Sequence, residues 1–163
     1  MLNKYQCYDI QKLIFDRRII MKTFGKRDYD LDYWARQGAY AVIQNNNQQF
    51  LCVQDLNSNL YLVGGGIEKD ELPEGAVLRE SMEETRYEIK IIEKIGTAER
   101  HWVSDMYPQY SQHNIGILYK CTLLDKISDP IEKEKMKWVD YDYLQQYLFH
   151  KHHLYLIKKH LNL

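Results

Sequence analysis

Glu80, Glu83 and Glu84 stand close enough along the chain to act as one charged surface. Positions three and four apart are neighbours on a helix, so their side chains share an arc. Like charges at that spacing repel by roughly 0.2–0.5 kcal/mol per pair. A divalent cation offsets that cost, because hard ions such as Mg²⁺ take carboxylate oxygens and keep several waters. Upstream lie Gly64, Gly65 and Gly66, then an acidic loop ending at Glu71. The stretch 64–87 therefore reads as a glycine turn, an acidic loop and a short helix that gathers a cation.

The helix must present that arc outward. With Glu74 to Thr85 on an ideal helix, Val77, Leu78, Ser81, Met82 and Thr85 fall on the opposite, inward arc. Pro73 just inside the start favours a helix beginning there, whereas Leu72 makes a poor cap. Leu60-Tyr61-Leu62-Val63 is an apolar strand running directly into the glycines. Arg79 lies on the shoulder of the acidic arc. A bidentate pair between Arg79 and Glu71 would clamp the loop to the helix and preorganise the site.

The spacing runs Gly65, five residues, Glu71, seven residues, Arg79-Glu80, two residues, Glu83-Glu84. It resembles the Nudix box, the signature of the Nudix (MutT-like) hydrolases, over residues 64 to 87. The chain departs from that pattern at Val63 (commonly Pro), Asp70 (commonly Gly), Leu72 (often Ser or Thr), Ser81 (usually aliphatic) and Arg86 (usually Gly). The Gly at the last position would end the helix in a left-handed conformation, which costs other residues about 1 kcal/mol or more. None of these changes removes a proposed metal ligand.

The resemblance implies an α/β fold, a Nudix-type α/β/α sandwich with a mixed sheet. It implies a Mg²⁺-dependent hydrolase, with Mn²⁺ as an alternative ion, that cleaves the pyrophosphate bond of a nucleoside diphosphate linked to another moiety. A nucleoside triphosphate, in a housecleaning role, fits that class. Glu80, Glu83 and Glu84 would hold the metal, with a backbone carbonyl at Gly65. Gly64, Gly65 and Gly66 would let the main chain approach the phosphates. Glu83 or Glu84 would act as base through a metal-bound water, and Glu99 is a candidate for a further ligand or base. Two rival readings are a nucleotide sensor that does not hydrolyse and an enzyme removing pyrophosphate from RNA 5′ ends. The intact glutamates and the lack of a visible DNA-binding segment weigh against the sensor. The net charge of −1 gives no broad basic surface for RNA.

Selectivity must come from outside the box. Tyr33, Trp34, His101, Trp102, Tyr107 and Tyr110 could stack on a base, and Arg36 or Arg100 could meet phosphate. His113 reads as an ordinary loop histidine and Trp138 as core. Expected strands are 33–36, 38–43 hairpinned with 50–54 through the polar turn 45–48, 60–63, 88–92, 95–103, 114–123 and 136–139. Residues 104–113 read as a loop, 125–133 as a polar connection and 141–163 as mostly helix. Lys151, His152, His153, Lys158, Lys159 and His160 read as a solvated basic face.

At 163 residues the chain is expected to form one domain over 21–163, preceded by an extension over 1–20. That extension is either a helix packed on the domain or sequence upstream of a start at Met21. Cys7, Cys52 and Cys121 are odd in number and widely separated, which suits a reducing, cytoplasmic setting rather than disulfides or a zinc motif. No apolar stretch is long enough for a membrane span. The expected partner is a nucleotide, with the chain as monomer or homodimer.

Overall fold

The computed structural model describes residues 21–128 and 135–162. The extension 1–20 and most of the expected connection 125–133 lie outside the described residues. The elements are β1 Lys22–Phe24, β2 Asp32–Ile43, β3 Phe50–Gln54, β4 Leu60–Gly66, α1 Pro73–Thr85, β5 Tyr87–Ser104, β6 Tyr107–Lys126, β7 Lys135–Val139, α2 Tyr141–Tyr147 and α3 Lys151–Leu161. The strands form one seven-stranded sheet in the order β1-β5-β6-β2-β4-β3-β7. β1 pairs parallel with β5 and β2 parallel with β6, and the other pairings are antiparallel.

Alternation along the strands builds two cores. Ala41, Ile43, Leu51, Val53, Val63 and Ile117 face α1, where Ala76 and Val77 meet them. Val42, Phe50, Cys52, Leu62 and Leu118 face the other way, onto Leu144, Leu148, Leu156 and Ile157 of the C-terminal helices and the bend between them. Helices on both faces of a mixed sheet make the α/β/α sandwich. Trp138 packs, partly buried, on the α1 side. Among the described residues no helix is long and apolar enough to cross a membrane.

Several expectations need correction. β2 and β3 are not a hairpin: they share a single bridge, Gln44 to Phe50, because β4 inserts between them in the sheet. The turn is nonetheless specified locally, as Asn45 Oδ1 accepts from the backbone N–H of Asn47 and of Gln49, each at 2.9 Å. Residues 33–43 are one strand, pairing continuously with β6 from Asp32–Tyr110 to Ile43–Cys121. The stretch 104–113 is strand on both sides of a tight turn at Asp105 and Met106, and Pro108 is tolerated in an exposed part of it. Strands 88–92 and 95–103 fuse into β5, with register shifts between Ile91 and Glu93 and between Lys94 and Gly96. The C-terminal helix breaks at Leu148–His150, where the Phe149 N–H donates to Leu60 O at 2.8 Å.

The inward arc of α1 is Ala76, Val77, Ser81 and Thr85, while Leu78 is 44% exposed. The largest correction is at the C-terminus. His152 and His153 are buried, continuing the inward row of Leu156 and Ile157 at i+4 rather than a solvated face. Burial holds the His152 imidazole down at about 3 and the His153 imidazole well below its usual range, so both are neutral.

Candidate functional site

Gly64, Gly65 and Gly66 are not the expected turn: they are the end of β4, paired with Tyr40, Ala39 and Gly38 of β2. Gly64 has φ of 134°, and a Cβ there would lie 2.3 Å from the Ala39 carbonyl oxygen, so only glycine fits. Its N–H donates to Glu84 Oε2 at 2.8 Å, tying the end of the strand to the helix. A Cβ on Gly65 would instead meet the Glu80 carboxyl at 2.6 Å. The bare backbone thus makes a seat for that side chain.

Arg79 joins loop, strand and helix. Its Nε donates to Glu71 Oε1 at 2.9 Å and its Nη2 to Glu71 Oε2 at 3.0 Å, a bidentate pair. Nη2 also donates to Gly66 O at 2.9 Å. Nη1 reaches Glu80 Oε1 at 2.9 Å and Glu83 Oε2 at 3.4 Å. Glu71 closes the loop by accepting from the Glu68 N–H at 3.0 Å. The guanidinium holds the Glu71 carboxyl below its usual range, chiefly through the hydrogen bonds it donates. The pairing raises the Arg79 pKa in turn.

Glu80 behaves differently. Burial raises its pKa, the Arg79 hydrogen bond and charge oppose that rise, and the neighbouring Glu83 adds to it. A carboxylate that is costly to ionise in the free protein is relieved by a bound cation. Glu83, with its side chain 59% exposed, faces solvent beside it. Glu80, Glu83 and Glu84 offer only oxygen donors, so this set fits a hard divalent ion rather than a thiophilic one. They are the residues that could hold the metal.

The NUDIX domain model matches residues 34–160, most of the chain. The chain belongs to the NUDIX domain family. A Bacillus subtilis (strain 168) protein named "Putative 8-oxo-dGTP diphosphatase" is 31% identical over 104 residues, covering 63% of this chain and 65% of that relative, slightly under two thirds of its length. Among solved structures, a NUDIX hydrolase from Nitrosomonas europaea matches with TM-score 0.63 at 17% identity, over 78% of this chain and 89% of that one. The MutT protein from Methanosarcina mazei Go1 matches with TM-score 0.62 at 17% identity, over 83% of this chain and 97% of that one. Those two likenesses establish the shared fold.

In this NUDIX domain the glycines, Glu80 and Glu84 border a cavity of about 700 Å³. Trp34, Arg36, Trp102 and Tyr107 from the aromatic and basic candidates also line it. Tyr110 packs on Trp34 with ring centroids 5.8 Å apart, and Arg100 sits 4.7 Å over the Trp102 ring. Tyr33, His101, His113 and Glu99 do not line it. Glu99 accepts from Thr23 and bonds His113 Nε2 at 2.7 Å, in a cluster of its own. His113 is a buried strand residue, not a loop histidine, with Tyr33 Oη on its Nδ1.

The sequence reading missed Tyr40, Tyr61, Phe149 and the histidines at 150, 152 and 153, all on the cavity wall. The continuation of Leu156 and Ile157 by His152 and His153 at i−4 was the available signal. Tyr40 packs 4.5 Å from His153, and Tyr61 5.2 Å from Phe149.

Proposed function

We propose that this chain is a Mg²⁺-dependent pyrophosphohydrolase that cleaves the pyrophosphate bond of a nucleoside diphosphate linked to another moiety. A nucleoside triphosphate is the favoured substrate class, and the relative named for 8-oxo-dGTP supports that choice. The observation that carries the reading is the Arg79–Glu71 clamp, which fixes Glu80 beside Gly65 on the rim of an aromatic-walled cavity.

Bound divalent metal supplies charge neutralisation of phosphate oxygens and a more acidic water. Glu80, Glu83 and Glu84 would hold it. Glu80 is seated against bare backbone, and Glu84 is oriented by the Gly64 N–H. Arg79 does not need to touch the substrate: its donors go to Glu71, Gly66, Glu80 and Glu83, and it positions the carboxylates. Glu83 or Glu84 would accept the proton of the attacking water. Trp34 and Trp102 offer flat faces for the base, and Arg36 offers a charge for the phosphates.

Release of phosphate or pyrophosphate from a nucleotide panel, with and without Mg²⁺, tests the reading. Turnover is expected only with the metal. Glu83→Gln is expected to lower the rate by about 10²-fold or more with an unchanged circular dichroism spectrum. Absence of turnover on every member, metal present, would sink the proposal.

A further inference from the structure

We infer that Glu99, His101 and His113 form a second cation site, for a transition-metal ion of the Zn²⁺ type, separate from the box carboxylates. Glu99 and His101 are alternate residues of β5, and His113 is the direct cross-strand partner of His101 on β6. Their side chains therefore emerge on one face of the sheet. Their ligand atoms all lie within 4.8 Å of one another. Tetrahedral coordination with bonds of about 2.0–2.1 Å sets donors about 3.3 Å apart. The cluster thus reaches metal geometry by side-chain shifts of roughly 1.5 Å or less in each separation.

The surrounding groups suit such an ion. His113 is buried and its orientation is fixed by Tyr33 Oη at Nδ1 and Glu99 at Nε2. With the ion at Nε2, Nδ1 keeps its proton and donates it to Tyr33, the second bond that metal-bound histidines generally make. Thr23 Oγ1 donates to Glu99 and orients the carboxylate. The His101 ring stacks on His113 with centroids 4.1 Å apart and planes at 17°, and its Nδ1 is buried without a hydrogen-bond partner. Arg27, with its guanidinium 4.1 Å over the Tyr33 ring, is a nearby cation whose charge works against a bound ion.

Two imidazoles and one carboxylate are the donor set of Zn²⁺ and its neighbours, whereas Mg²⁺ prefers oxygen. The same alternation separates the two sites. Trp102, Gln112 and Asn114, which line the cavity, interleave with Glu99, His101 and His113 and point to the opposite face. An ion here would fasten β5 to β6 and, through Thr23 and Tyr33, brace β1 and β2 at the sheet's rim.

The test uses the full chain stripped of metal, in excess Mg²⁺ to occupy the box carboxylates, titrated with Zn²⁺ alone and with Co²⁺ alone. One equivalent of Co²⁺ is expected to bind with visible ligand-field absorption that Zn²⁺ displaces, and Zn²⁺ is expected to raise the melting temperature. Glu83→Gln should keep this behaviour. His101→Ala and Glu99→Gln should each weaken uptake by about 10-fold or more. His113 is bonded at both nitrogens, so its removal disturbs the sheet by itself, and the other two variants carry the decision. Absence of uptake, uptake unchanged in both variants, or uptake lost in Glu83→Gln would overturn the inference. None of those results bears on Mg²⁺-dependent turnover.

Discussion

Gly65→Ala isolates the seat of Glu80 from the stability of the fold. The backbone at Gly65 is ordinary for any residue, unlike that at Gly64, so the new methyl strains only its surroundings. It would meet Glu80 Cδ and Oε1 at 2.6 Å and Oε2 at 2.7 Å. Normal contact is about 3.4 Å or more, so the carboxylate must retreat by roughly 0.8 Å. It is the far end of a side chain rather than backbone, so it can give way by stretching its bond to Arg79. Displacement of a catalytic group by 1 Å costs about 10²-fold in rate. Gly65→Ala should therefore lower kcat/KM by about 10–100-fold and weaken Mg²⁺ affinity, with stability changed by about 1 kcal/mol or less. Gly64→Ala is the contrast. Its methyl would press on the Ala39 carbonyl at 2.3 Å with φ at 134°. That backbone cannot retreat, so a loss of about 3 kcal/mol is expected, or roughly 6–12 °C in melting temperature. Steady-state rates, Mg²⁺ titration and thermal melts of both variants decide the matter. Activity of Gly65→Ala within threefold of the parent, or a melt as low as that of Gly64→Ala, would refute the seat.

Arg79→Lys keeps the charge but loses the fork that binds both Glu71 oxygens and Gly66 O; kcat/KM is expected to fall by about 10²-fold with KM little changed, in steady-state kinetics. Arg86→Gly should stabilise the protein by about 1 kcal/mol, roughly 2–4 °C in a thermal melt, because Arg86 holds φ of 61° and leaves a buried Nε without a partner. His152 gives a pH prediction. Its folded pKa of about 3 lies below the unfolded value near 6.5, so between those limits only the unfolded chain takes the proton. Stability should fall as pH drops from 6.5 towards 3, by up to about 1.4 kcal/mol per pH unit for this group, and His152→Leu should flatten that part of a plot of urea midpoint against pH.

Local features were the legible ones. The helix from Pro73 and the Asn45 turn each follow from a few adjacent residues and stand in the structure within a residue or two, and the strand into the glycines is present but runs three residues further, through Gly66. The reciprocal grip of Arg79 on Glu71 was readable too, because loop and helix are contiguous in sequence. What depended on distant pairing was not readable. Nothing near residues 44–50 announces that β4 will insert between β2 and β3. Polar residues at 104–113 looked like loop because one set of partners, Asp32 to Ala35, lies far along the chain, and the other, His101 to Ser104, is joined to them by a turn at Asp105 and Met106 that has no glycine or asparagine to mark it. Once that turn is missed, the contact of Glu99 with His113 across it, at 2.7 Å, is missed with it.

The departures from the family pattern at the end of α1 compensate for one another. Without glycine at position 86 the helix still exits through a left-handed residue, and Arg86 N–H closes the last turn on Met82 O at 3.2 Å. Polar side chains hold that exit in place. Thr85 Oγ1 donates to Ser81 O at 2.6 Å and accepts from the Tyr87 N–H at 3.1 Å, while Ser81 Oγ donates to Tyr87 O at 3.3 Å. Both side chains are fully buried, so the Thr85–Ser81 bond is shut off from water and the two bonds to Tyr87 are partly so. An aliphatic residue in place of Ser81 would add apolar contact yet leave the Tyr87 carbonyl without this bond. The serine therefore belongs with the arginine: a strained exit is fixed by short polar bonds at the base of the helix, one turn from Glu83 and Glu84. The carboxylates inherit their positions from that anchorage at one end and from the Arg79 clamp at the other.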